Sequence, residues 1–125
     1  MNPEVDSWVG KAEEDWLSAK WLLKEESPVT TPGLFHLQQC VEKLLKAFLV
    51  NQGVRFDRRH DLAYLLRLAN EKRLDAYTDL MDELNPFAVE QRYPGDLPEF
   101  SKSEAQSILA KVGKFRSLLL SVIRE

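Results

Sequence analysis

The sequence predicts an all-α protein: an antiparallel up-and-down bundle of four to five helices. Three observations carry that expectation. Apolar residues recur at three- and four-residue intervals along most of the chain. Helix start and stop signals bracket those stretches, with proline near the first turn and glycine or an Asn-Pro pair after the last. No segment alternates apolar and polar residues with the period of two that a half-buried strand requires. Internal repeats and low-complexity runs are absent from the sequence.

The first helix is expected over Pro3 to Glu26. Asn2 is its N-cap, and Pro3 suits the first helical position because its missing N–H would be unpaired there. Trp8, Ala12, Ala19, Leu22 and Leu23 form an apolar stripe that Trp16 and Leu17 widen. Gly10 is a weak point at which the first turns fray. Pro28 disfavours helical geometry at Ser27 and ends the segment.

The second helix begins at Thr31 with Pro32 in its first turn. Leu34, Leu37, Val41, Leu44, Leu45 and Phe48 make its buried face, and Gly53 is a left-handed stop. Val54 to Arg59 reads as a connector. A third helix is expected from about His60 to Lys72 on Leu62, Leu65, Leu66 and Leu68. A fourth spans about Asp75 to Leu84 on Tyr77, Leu80, Met81 and Leu84, until Asn85-Pro86 ends it. Phe87 to Pro98 is a loop that crosses the bundle. The last helix opens on Ser101-Lys102-Ser103-Glu104, a capping box in which serine and glutamate side chains each satisfy the other's backbone N–H. Ile108, Val112, Phe115, Leu119 and Val122 then follow at helical spacing.

The 125 residues suffice for one domain with one core, residues 1–125. No uncharged apolar run is long enough to span a bilayer, and the acidic opening lacks a secretory signal's apolar stretch, so no membrane association is expected. One cysteine, Cys40, forms no internal disulfide, which fits a reducing cytoplasm. A net charge of -3 gives no global positive field, so contact with nucleic acid requires a local basic patch. Two histidines and one cysteine provide no zinc spacing, and no metal is expected. There is no glycine-rich phosphate loop and no nucleophile elbow.

Three groups of residues remain as candidates for chemistry. Glu42 and Lys46 lie one turn apart with Gln38 and Gln39 on the same side. They are either a surface ion pair that supports the helix or a polar stripe that lines a groove or a dimer seam. Arg55, Arg58, Arg59, His60 and Asp61 form the second group. Arginine forks bind phosphate through paired hydrogen bonds, and a neighbouring histidine serves as acid or base near neutral pH. The alternative is that the arginines are solvated and Asp61 caps the third helix. Third comes Glu90-Gln91-Arg92-Tyr93-Pro94 in the late loop. It is either a binding element or a packed tyrosine beside a turn-forming proline.

The order of these features resembles the HEPN domain (higher eukaryotes and prokaryotes nucleotide-binding). Ala12, Asp15 and Ala19 fit its Ala-x-x-Asp-x-x-x-Ala spacing. His36, Gln38, Gln39, Glu42, Lys43, Lys46 and Ala47 fit its second-helix motif, followed by His60-Asp61-Leu62 and Arg92-Tyr93-Pro94. The resemblance covers nearly the whole chain and implies a helical bundle, often a homodimer. It also implies a minimal nucleotidyltransferase partner, in some cases as a toxin–antitoxin pair, and a nucleotide such as ATP or GTP, or an RNA, as ligand. On that footing His36, Gln39, Glu42, Lys46, Arg59, His60, Asp61, Arg92 and Tyr93 are the expected binding residues.

Several branches of the family are metal-independent ribonucleases that use Arg-x4-6-His. Arg55 and His60 meet that spacing and are the candidate catalytic residues. They follow the second helix, whereas the nuclease motif usually lies later, and Phe56 stands where a polar residue commonly follows the arginine. At the later position no histidine follows Arg92 within reach. The ranked expectations are a nucleotide-binding or interaction subunit, then a ribonuclease, then a purely structural dimerisation module.

Overall fold

The computed structural model describes residues 2–88 and 94–125. Among them are five α-helices and no strand: α1 (Pro3–Leu22), α2 (Thr31–Asn51), α3 (Leu62–Ala69), α4 (Thr78–Leu84) and α5 (Lys102–Ile123). Short 3-10 turns at Lys72–Tyr77, Asn85–Ala88 and Pro94–Asp96 join the later elements. Most of the crossing loop's central motif, Glu90 to Tyr93, lies outside the described residues.

α2 is the centre of the molecule. It packs along α1 most extensively and also meets α5, α3, α4 and the 85–88 turn. An element enclosed on so many sides buries more than one stripe, and α2 buries Leu34, Leu37, Cys40, Val41, Leu44, Leu45, Ala47, Phe48 and Leu49. α1 runs antiparallel to α2. Trp8 lies beside Lys46, and Leu23 lies against Gly33. A Cβ on Gly33 would lie 2.4 Å from Leu23 Cγ, so only glycine admits this approach. α1 is also antiparallel to α5: Glu13 pairs with Arg116, and the Leu23 carbonyl accepts from Gln106. The crossing segment returns the chain so that α5 begins beside the start of α2, where Thr30 Oγ1 donates to the Phe100 carbonyl at 3.1 Å.

The ends of the elements refine the sequence expectation. Asn2 caps α1 by accepting from Glu4 N–H at 2.7 Å, and the helix runs unbroken through Gly10 instead of fraying. α1 stops at Leu22, four residues early. Leu23 leaves helical geometry and turns its side chain into the core on Gly33, and Lys102 Nζ ties the carbonyls of Lys24 and Ser27. Leu17, expected to widen the apolar stripe, is 56% exposed. Thr30 makes no side-chain cap for α2, because its hydroxyl is committed to Phe100. Gly53 adopts φ +70°, the left-handed stop expected of it. α3 begins two residues late because Asp61 is its extended N-cap, and Asn70 at φ 48° ends it at Ala69. The capping box of α5 is complete in both directions, at 3.1 and 2.9 Å.

Candidate functional site

Gln38, Glu42 and Lys46 stand at successive turns of α2, so their side chains share one side of the helix. All three are buried, with 4% of the Glu42 side chain and 10% of the Lys46 side chain exposed. The pair is therefore not a surface ion pair. Lys46 Nζ donates to Glu42 Oε2 at 3.0 Å, and Gln38 Nε2 donates to Oε1 at 3.0 Å. Gln39 Nε2 donates to Gln38 Oε1 at 2.7 Å, which turns the Gln38 amide so that its NH2 faces the carboxylate. Trp8 from α1 and Phe56 from the connector place their rings 5.4 and 5.7 Å from the ammonium, within cation–π range. These two aromatic groups close over a charge pair that would otherwise face water.

His60 completes the arrangement from outside α2. Its Nδ1 lies 3.0 and 3.1 Å from the two Glu42 oxygens. A carboxylate only accepts, so Nδ1 carries a hydrogen, and in the neutral ring the lone pair is then on Nε2. The side chain is 61% exposed, whereas its carboxylate partner is enclosed. The connector that delivers His60 is itself pinned. Val54 N–H donates to the Leu49 carbonyl, Asp57 N–H donates to the Tyr64 hydroxyl at 3.0 Å, and Arg59 stacks on the Tyr64 ring at 3.7 Å. Arg55 and Arg58 are exposed on the same connector.

The expected binding residues divide among several places. Gln39, Glu42, Lys46 and His60 come together. His36 does not join them: its Nδ1 lies 2.8 Å from Asp15 Oδ1 on α1, and Lys43 reaches Asp15 Oδ2 at 2.6 Å. This second carboxylate–histidine–lysine group repeats the first on a neighbouring side of α2. Arg59 faces Tyr64 rather than the Glu42 group. Asp61 caps α3, accepting from Tyr64 N–H and from the Asn85 amide, each at 3.2 Å. The Asn85 amide and the early backbone N–H groups of α3 hold its carboxyl below the usual carboxylate range. Arg92 and Tyr93 lie outside the described residues.

Sequence reasoning named Gln38 in the polar stripe and Asp15 and Lys43 in the motifs but left all three out of the expected binding residues. The available signal was the placing of Asp15 between Ala12 and Ala19, which are both fully buried, so an aspartate between them requires donors. Cys40 is no nucleophile: burial and the nearby Glu13 and Asp15 push its thiol far upward.

A shallow depression of about 410 Å³ opens beside His60, with Asp61, Asp82, Asn85 and Asp96 in its lining. Those carboxylates repel phosphate. Among the described residues no group of three or more His, Cys, Asp or Glu side chains is placed to hold a metal, and no helix is long and apolar enough to cross a membrane.

The bundle and its polar groups define a helical domain whose central helix takes part in two carboxylate–histidine pairs, Glu42 with His60 of the connector and His36 with Asp15 of α1. Residues 5–122 match the family model of the HEPN domain, and the chain belongs to that family. A Methanocaldococcus jannaschii protein named "Putative toxin MJ1304" is 29% identical over 136 residues, covering 94% of this chain and 87% of that protein. Two crystal structures share the fold. TT1696 from Thermus thermophilus has a TM-score of 0.78 at 19% identity, covering 97% of this chain and 98% of that one. ST0689, an archaeal HEPN homologue, has a TM-score of 0.73 at 18% identity, covering 95% and 97%.

Proposed function

We propose that this chain is the HEPN component of a cytoplasmic toxin–antitoxin pair: a homodimeric, single-domain subunit that binds the phosphates of a nucleotide or RNA beside His60 and works with a minimal nucleotidyltransferase partner. The observation that carries the reading is the enclosed Glu42 carboxylate. It accepts from Gln38, Lys46 and His60 together and leaves the outer nitrogen of an exposed imidazole free, on a connector that also carries the exposed Arg55 and Arg58. The family and the toxin-named relative support the context. A neutral Nε2 accepts a hydrogen bond from a sugar hydroxyl, while the arginine forks take phosphate oxygens. Calorimetric titration with ATP, GTP and a short RNA tests the binding. Heat with at least one of them is expected, and it weakens about tenfold or more in Arg58→Ala or His60→Ala, the range for losing a charge-assisted contact. No heat with any of them, together with failure to co-purify with a co-expressed nucleotidyltransferase, refutes the reading.

A second reading, a metal-independent ribonuclease, is favoured by one feature. A buried carboxylate bound to Nδ1 orients an imidazole as a general base. His60 Nε2 would take the proton of a ribose 2′-hydroxyl, and that oxygen would attack the adjacent phosphorus. The 5′-oxygen would leave, protonated by water, giving a 2′,3′-cyclic phosphate and a 5′-hydroxyl. Arg55 or Arg92 would neutralise the charge that builds on the phosphorane. RNA cleavage that persists in EDTA and is lost in His60→Ala supports this reading. Cleavage indifferent to that substitution removes it.

A further inference from the structure

We propose that the outer face of α1 is the contact between two copies of this chain, packed antiparallel about a twofold axis that passes at Glu14. The inference rests on the homodimer in the proposed reading and gives that dimer its surface.

Pro3, Ser7, Gly10, Glu14, Leu17 and Trp21 are all exposed, and they recur at alternating steps of four and three. That spacing lays them along one line of the helix, the pattern of a seam between two helices. The line is unlike an ordinary solvated face. Leu17 is 56% exposed and Trp21 68%, one turn apart. Lys24 Nζ lies 3.2 Å from the centre of the Trp21 ring. Gly10, by contrast, has no packing role inside the monomer. A Cβ there would meet nothing within 4 Å, whereas one on Gly33 would collide with Leu23. Glycine weakens a helix relative to alanine, so a glycine that its own fold does not require points to a neighbour outside the chain.

An antiparallel copy satisfies every one of these features. With Glu14 opposite its own counterpart, Leu17 falls opposite Gly10, and Trp21 falls opposite Ser7. Each large apolar side chain meets a small residue, so the two helices approach closely while the knobs fill the gaps. Charge agrees with the direction. The first turn of α1 carries Glu4 and Asp6, and its last turn carries Lys20. Antiparallel packing sets the acidic first turn of one copy near Lys20 of the other. A parallel pair would set like on like. A twofold axis across the seam keeps corresponding flanks together, and Asp6 and Lys20 lie on the same flank, so they pair between copies. The two Glu14 carboxylates meet at the axis, each already bound to its own Lys11 at 3.3 Å. The contact is isologous and closes at two copies.

Sedimentation equilibrium of the full chain and three variant sets, at tens of micromolar, tests the proposal. The wild type is expected to be a dimer. Gly10→Leu should raise the dissociation constant ~10-fold or more by filling the gap opposite Leu17, with unchanged helical circular dichroism because that side chain has open space in the monomer. Glu14→Cys should form a disulfide with its own copy under mild oxidation, Cys40 being buried. Asp6→Lys and Lys20→Glu should each weaken the dimer, and the double swap should restore it. A wild-type dimer that ignores Gly10→Leu and does not cross-link through Glu14→Cys overturns this face and leaves the homodimer standing. A monomeric wild type overturns both.

Discussion

A carboxylate as enclosed as that of Glu42 costs several kcal/mol in desolvation unless donors meet its oxygens. Gln38, Lys46 and His60 are those donors, and among the described residues no buried side-chain polar atom is left without a partner. The balance is sensitive to removing one member. Glu42→Ala leaves the Lys46 ammonium buried without its counter-ion and is expected to cost about 3–5 kcal/mol. The double variant Glu42→Leu/Lys46→Met removes both charges and should lose much less. Urea denaturation of the three proteins checks this, and equal losses would mean that the pair is hydrated rather than enclosed. The four-residue spacing of Gln38, Glu42 and Lys46 was legible in the sequence. Their burial was not, because it depends on Trp8 from α1 and Phe56 from the connector closing over Lys46. Local spacing carries no record of what a distant segment will cover.

At the scale of the element, legibility followed how local the determining interaction is. The capping box of α5 is written within four residues, and that helix begins where the sequence places it. The start of α3 was placed two residues early because it depends on Asp61 and Asn85, residues on different elements, although the alternative that Asp61 caps this helix holds. Asn85 Oδ1 accepts from Leu62 N–H at 2.8 Å while its NH2 donates to Asp61. This cap also has a pH signature. The folded value of Asp61 is depressed, so its contribution is complete above the unfolded value of about 3.9 and is lost as pH falls through the lower folded value. Asp61→Asn keeps a capping oxygen but cannot titrate. Between pH 5 and 2 (about the window set by those values), the melting temperature of the wild type should fall more steeply than that of Asp61→Asn. Parallel curves would show that the cap does not titrate with folding. The early stop of α1 follows the same logic. Leu23 leaves the helix to fill the space above Gly33, ten residues further on.

In the whole molecule, α2 is a shared wall. One side binds Asp15 of α1 through His36 and Lys43, and the adjacent side binds His60 through Glu42. The all-helical class and the family were both legible, because apolar periodicity and the ordered motifs run the length of the chain. A single pocket gathering His36, Arg59, Asp61 and His60 was the natural expectation from sequence. Helix geometry divides it instead: Asp15 takes His36, Tyr64 takes Arg59, and Asn85 takes Asp61. What remains is a smaller and more exposed site, in which a buried carboxylate aims one imidazole outward.

The tautomer and ligand response of that imidazole can be read in one experiment, a long-range proton–nitrogen NMR spectrum of His60 recorded with and without ATP, GTP or a short RNA. The account predicts hydrogen on Nδ1 in the free protein, and an Nε2 resonance that moves when at least one of these ligands is added. Hydrogen on Nε2 in the free protein, or an Nε2 signal unmoved by all three, would contradict it.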